Sequence, residues 1–335
     1  MGIYCEIDLH KTENGAYVGR TGTVVSGVIK YSVDEETIVE RITVSLKGMG
    51  KVDMEISHGS RVTRYCTKEV YIDIDNVISE NKLITGMHEV PFRFEIPRNV
   101  PPTLAYKRWR PAKDNVECNI TYYVRIKFTR SGFKNTKRFK KEITVIPCII
   151  PRLSTTPIIH AGQKKLSQLF SLKSRIVHVK ANILNSVLKA GDKITFTYEV
   201  VNDTNLVIRS VETKLVEVYK FYLKHLEMVK NKRDIPETDS KIGEIRIGQT
   251  REISVEINIP PDIESTEFSK LFSRDYYVFI TAFLPAPHRN HVLEIPVQIG
   301  KIFVANAPEA TCSYFEDDKP PSYWEAMNEY TTDKI

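Results

Sequence analysis

Gly22-Thr23-Val24-Val25-Ser26-Gly27-Val28-Ile29-Lys30-Tyr31-Ser32-Val33 has a counterpart later in the chain, Gly191-Asp192-Lys193-Ile194-Thr195-Phe196-Thr197-Tyr198-Glu199-Val200-Val201-Asn202. The match continues without a gap from Gly22 to Leu46 over Gly191 to Leu215. Val25, Ile29, Tyr31, Ile38, Ile42 and Leu46 fall on Ile194, Tyr198, Val200, Val207, Val211 and Leu215. Within each run these residues recur with a period of two, the spacing of a strand with one face buried, so all twelve are expected to point inward.

Two more matches follow in the same order. Val90-Pro91-Phe92-Arg93-Phe94-Glu95-Ile96-Pro97 overlays Ile253-Ser254-Val255-Glu256-Ile257-Asn258-Ile259-Pro260, and Tyr122-Tyr123-Val124-Arg125-Ile126 overlays Tyr276-Tyr277-Val278-Phe279-Ile280. The offset changes only between strands, where loops absorb length. Three strand groups in one order, twice, make two copies of one β module. The fold class is therefore all-β: two tandem immunoglobulin-like sandwiches, each expected to bury its own two-sheet core. The expected division is a first sandwich over 1–148, a connection and entry to the second over 149–175, the second sandwich over 176–306, and a flexible tail over 307–335.

Composition narrows the function classes. The 335 residues are 41% hydrophobic and 27% charged, enough apolar material for two cores. No basic-then-apolar leader opens the chain and no run of about 18 apolar residues occurs, so a cytoplasmic protein is expected. Gly2 is a weak acylation signal, because Glu6 stands where Ser or Thr is wanted. Cys5, Cys66, Cys118, Cys148 and Cys312 are odd in number, far apart and without a Cys-x-x-Cys, which fits a reducing compartment and neither a disulfide framework nor zinc. In that compartment the sequons at Asn119 and Asn202 are chance matches. A net charge of +6 is modest and not a nucleic-acid signature. Catalytic and phosphate-cradling motifs are missing, so no enzyme activity and no cofactor is expected. His288 and His291 read as part of a turn rather than a metal site, and Glu69, Asp73 and Asp75 as solvent-facing acids on one strand face.

The tail carries the sharpest motif. Pro320-Pro321-Ser322-Tyr323 is a Pro-Pro-x-Tyr segment; in polyproline II geometry, with three residues per turn, Pro320 and Tyr323 share a face that an aromatic-lined WW groove grips. A second candidate is the basic run Arg130, Lys134, Lys137, Arg138, Lys140 and Lys141, which reads as a hairpin turning at Ser131-Gly132. Its bland explanation is a charged edge that resists aggregation; its functional one is contact with anionic lipid heads or a phosphorylated cargo tail. Lys164 to Arg175, with Leu166, Leu169, Phe170 and Leu172 among basic residues, is expected to be an ordered connection, with a short membrane-surface helix as the alternative.

Gly27-Val28-Ile29-Lys30-Tyr31, Ser45-Leu46-Lys47-Gly48, Gly86 to Pro97, Ala190-Gly191-Asp192-Lys193-Ile194 and Val201-Asn202-Asp203, in this order, resemble an arrestin N-domain followed by an arrestin C-domain. Together with Pro320 to Met327 they resemble the alpha-arrestins, the arrestin-domain-containing proteins. The resemblance implies an adaptor that holds transmembrane receptor or transporter cargo. Through Pro320, Pro321 and Tyr323 it would recruit a WW-domain HECT-type E3 ubiquitin ligase, at the plasma membrane and endosomes. The alternative it leaves open is a ligase-independent scaffold similar to the arrestin-like subunit of retromer. The single Pro-Pro-x-Tyr limits bivalent engagement of tandem WW domains, and the lack of any cysteine between Cys148 and Cys312 leaves thioredoxin coupling through the C-domain without support.

Overall fold

The computed structural model describes residues 2–10, 12–13, 16–34, 37–58, 61–83, 85–108, 114–129, 136–166, 175–224 and 226–302. These residues contain strands and no helix. The first lobe has a three-stranded sheet in the order Ile3–Leu9, Val24–Val33, Gly86–Glu95. Its larger sheet runs Thr12–Glu13, Ala16–Arg20, Lys137–Ile146, Asn115–Thr129, Thr37–His58, Arg61–Leu83, with Leu104–Arg108 also on Asn115–Thr129. The second lobe repeats the plan. Ile158–Lys165, Ile176–Ile183, Lys193–Asp203 and Thr250–Asn258 form one sheet. Val187–Leu188, His291–Ile299, Phe272–Phe283, Ser210–Leu223 and Leu226–Asp234 form the other, with Ser240–Ile242 on Ser210–Leu223.

The repeat extends to strand register. Val25 pairs with Phe94 and Ile29 with Val90, as Ile194 pairs with Ile257 and Tyr198 with Ile253. In the larger sheets Leu46 pairs with Val124 and Leu215 with Val278. A slip of one residue would turn each apolar set outward, so the shared inward pattern explains the shared register. Gly22 and Gly191, which begin the matched segments, hold φ of 82° and 85°, left-handed angles that glycine adopts without steric cost.

Val25, Ile29, Tyr31, Ile42 and Leu46 are buried, as are Ile194, Tyr198, Val200, Val211 and Leu215. Val207 departs from the expectation: it is exposed, and Ile208 is buried instead. Asn202 causes the shift. Its Nδ2 donates to the carbonyls of Leu206, Ile245 and Arg246 at 2.8, 3.0 and 3.1 Å, tightening the turn before the strand, and Ile208 then exchanges both backbone bonds with Ile245. Burial of the consecutive Ser210 and Val211 restores the expected phase. The side chain of Ile38 lies outside the described residues.

Each lobe buries its own core, as expected, but the two are not sealed from one another. The main cluster of the second lobe is confined to that lobe, but the first-lobe cluster takes in Tyr219, Phe221, Val229, Leu271 and Phe272. Tyr106 of the first lobe lies 4.7 Å from the Tyr219 ring and 4.9 Å from the Phe221 ring, and its hydroxyl accepts from Asn231 Nδ2 at 3.2 Å. The ends of the second lobe's long strands reach past their own core, and their aromatic rings pack on one another and on the first lobe. Where the chain passes between lobes, the buried Gln298 accepts from Arg152 N at 2.9 Å and donates to Ile150 O at 2.8 Å. Within the expected connection, Ile158–Lys165 is an edge strand of the second lobe and Leu166 is buried in its core. Leu169, Phe170 and Leu172 lie outside the described residues.

Candidate functional site

Pro320, Pro321 and Tyr323 lie outside the described residues, as do Arg130 and Lys134. The other four residues of the basic run lie on Lys137–Ile146, which pairs antiparallel with Asn115–Thr129. The hairpin therefore separates them by parity. Ile143 and Val145 are buried and Phe139 packs on the core, so strand parity puts Lys137 and the exposed Lys141 on the same side of the strand as these residues and Arg138 and Lys140 on the outer face.

On that outer face Arg138 stands opposite Lys127, and Lys140 opposite Arg125. Four cations thus form a two-by-two block. Lys140 is paired with Glu142 at 2.9 Å and lies over the Tyr123 ring at 5.7 Å, and Arg125 reaches Asp75 at 4.0 Å. Arg138 and Lys127 have no partner among the described residues. Arg125 and Lys127 belong to no basic run in the sequence, but their alternation with Val124, Ile126 and Phe128 marks them as residues on the solvent face of a strand.

Next to this block the sheet is charge-balanced. Lys47 Nζ is held by Asp73 and, at 2.5 Å, by Asp75, and that hydrogen bond keeps the Asp75 carboxyl below its ordinary range. Glu69 does not share the face of these two acids. A register shift between Gly48 and Met49 leaves Tyr71 as an extra residue opposite them, and the phase of the strand inverts there. Glu69 consequently turns to the second lobe and accepts from Lys270 N at 3.0 Å, while Tyr71 Oη meets Ser269 Oγ at 2.8 Å.

Deeper between the cores is a buried charge. Glu217, 1% exposed, accepts from Arg274 Nε at 2.6 Å and Tyr276 Oη at 3.0 Å. His291 is buried and its imidazole pKa is lowered by burial; His288 closes a turn through its N–H to Pro285 O at 3.1 Å. Among the described residues no three His, Cys, Asp or Glu side chains gather in a way that could hold a metal. Cys5, Cys66, Cys118 and Cys148 are free thiols. Asn202, one of the two sequon asparagines, is buried with its amide committed to the turn.

The family model of the arrestin (or S-antigen) N-terminal domain matches residues 5–150, and that of the arrestin (or S-antigen) C-terminal domain matches residues 173–303. No curated protein matches the chain. The two matched segments correspond to the two lobes, in the same order.

Proposed function

Because the chain belongs to the arrestin-domain family, we propose that it is an adaptor of the alpha-arrestin type, which holds a transmembrane receptor or transporter and brings a ubiquitin ligase to it. One observation carries this reading: a Pro-Pro-x-Tyr segment, Pro320 to Tyr323, follows the second arrestin domain. Pro320 and Pro321 would pack in the aromatic groove of a WW domain, Tyr323 would fill the neighbouring pocket, and the ligase so recruited, of the HECT type, would modify the cargo and commit it to endocytosis and endosomal sorting. The tandem sandwiches supply the cargo-holding body, and the basic hairpin adds a peripheral contact with anionic lipid, at about 1 kcal/mol per suitably placed Lys or Arg.

Titration of the full chain with an isolated WW domain of a HECT-type ligase tests the proposal. Saturable binding that falls at least about tenfold in Tyr323→Ala supports it, since the tyrosine pocket provides much of the specificity. Equal binding by wild type and Tyr323→Ala would remove the tail from the mechanism and favour a scaffold that works without a ligase.

A further inference from the structure

The outer face of the second lobe, where the chain between the lobes crosses it, holds a buried carboxylate, one of whose oxygens has no hydrogen-bond donor. Glu267 has a side chain only 10% exposed. Its Oε1 accepts from Gln298 Nε2. Oε2 is buried and accepts no hydrogen bond. The nearest cation is Arg152, whose Nε lies 3.6 Å from Oε2, too far for a hydrogen bond, on a side chain 59% exposed. Burial pushes the Glu267 carboxyl above its ordinary range against the opposing pulls of Arg152, the Gln298 amide and the Ile150 backbone.

The neighbouring residue is strained. Phe268 holds φ of 64°, a left-handed angle that is costly for a residue with a bulky side chain. In that conformation its ring lies under the Arg152 guanidinium, 5.3 Å from the centroid. A cavity of about 400 Å³ adjoins the carboxylate, and Lys220, Ser273, Asp275 and Tyr277 also line it. The second acid there, Asp275, is already committed to Lys220 at 2.9 Å and Ser273 Oγ at 3.0 Å.

A buried acceptor without a donor, an aromatic face beside it and open volume in front of it are the parts of a seat for a guanidinium or ammonium group. Arg152 occupies this seat poorly for a reason built into the chain. Its backbone N–H is tied to Gln298 Oε1 at 2.9 Å, and it presents Nε at long range instead of the two-pronged end that binds carboxylates well. We propose that the Glu267–Phe268 seat receives an arginine or lysine side chain of a partner polypeptide, and that Arg152 is a resident cation displaced when the partner docks.

The probe is N-acetyl-arginine amide, titrated into the full chain by calorimetry, with N-acetyl-norleucine amide as the apolar control. Saturable binding of the arginine probe alone is expected, about tenfold weaker in Glu267→Gln and severalfold tighter in Arg152→Ala, where the resident competitor is gone. A melting curve for each variant separates loss of the seat from loss of fold, and the comparison of Arg152→Ala with wild type stands even if Glu267→Gln is unstable. The proposal is overturned if Arg152→Ala binds no probe, if it binds more weakly than wild type, or if a folded Glu267→Gln binds as well as wild type.

Discussion

Arg274 donates to Glu217 at 2.6 Å at the level where the two apolar clusters meet on one face of a single sheet. Leu215 lies in the second-lobe core on one side of this pair, and Tyr219 lies in the first-lobe cluster on the other. A paired charge in so dry a place is costly to leave alone. Arg274→Met is therefore expected to destabilise the protein by about 3 kcal/mol, because it leaves the buried Glu217 carboxylate with Tyr276 Oη as its donor and only the distant Arg233, at 4.0 Å, as a cation. The double variant Arg274→Met with Glu217→Leu should lose less than the single one. Urea unfolding monitored by circular dichroism reads both.

Phe221 ties the lobes together. It is fully buried, 4.9 Å from the Tyr106 ring and 6.4 Å from the Phe272 ring. Phe221→Ala should cost about 3–5 kcal/mol. Hydrogen exchange locates the effect: faster exchange is expected in Leu104–Arg108 and Asn115–Thr129 of the first lobe as well as in Ser210–Leu223, whereas independent lobes would confine it to the second.

Much of this architecture was legible in the sequence because burial on one face leaves a period of two, and the two copies keep the same residues at the same phase. The matched sets containing Val25 and Ile194 mark the strands, whereas the pairing of Val25 with Phe94 and of Ile194 with Ile257 emerges only in the structure. What escaped has a physical cause in each case. Tyr219 and Phe221 continue the alternation of Leu215, so nothing in the pattern tells a ring that meets its own lobe from one that meets the other. Val207 and Glu69 depart from the alternation because a side-chain-pinned turn and a bulge each move the phase by one residue, and neither has a composition signature. The basic run is contiguous in sequence but not in space: strand parity divides its described members between two faces, and Arg125 and Lys127 complete the outer one.

Acid should loosen the second lobe. The imidazoles of His160 and His291 are held below their ordinary pKa of 6.5 by burial, in His291 against an opposing hydrogen bond to the Gly162 backbone. The unfolded chain therefore takes up these protons first, so stability is full above about pH 6.5 and declines as pH falls below it toward the folded-state values. Between pH 7.5 and 5.5 the melting temperature of wild type should fall by more than that of the variant carrying His160→Gln and His291→Gln. Equal falls would show that these histidines are not the cause.

The outer basic block predicts an asymmetry. Reversing Arg138 and Lys140 to Glu should reduce sedimentation with vesicles containing anionic lipid, and the loss should shrink as salt is raised, since screening acts on exposed charges. Reversing Lys137 and Lys141, on the other side of the strand, should reduce it less. No change in either variant assigns the charges to edge protection alone.

The adaptor account is tested most directly by affinity capture of the full chain from detergent-solubilised membranes, comparing wild type with Tyr323→Ala and identifying the proteins recovered. It predicts that wild type recovers both a transmembrane protein and a HECT-type ligase, and that the variant keeps the first and loses the second. Recovery of the ligase by Tyr323→Ala at wild-type level, or of no transmembrane protein by either, would contradict it.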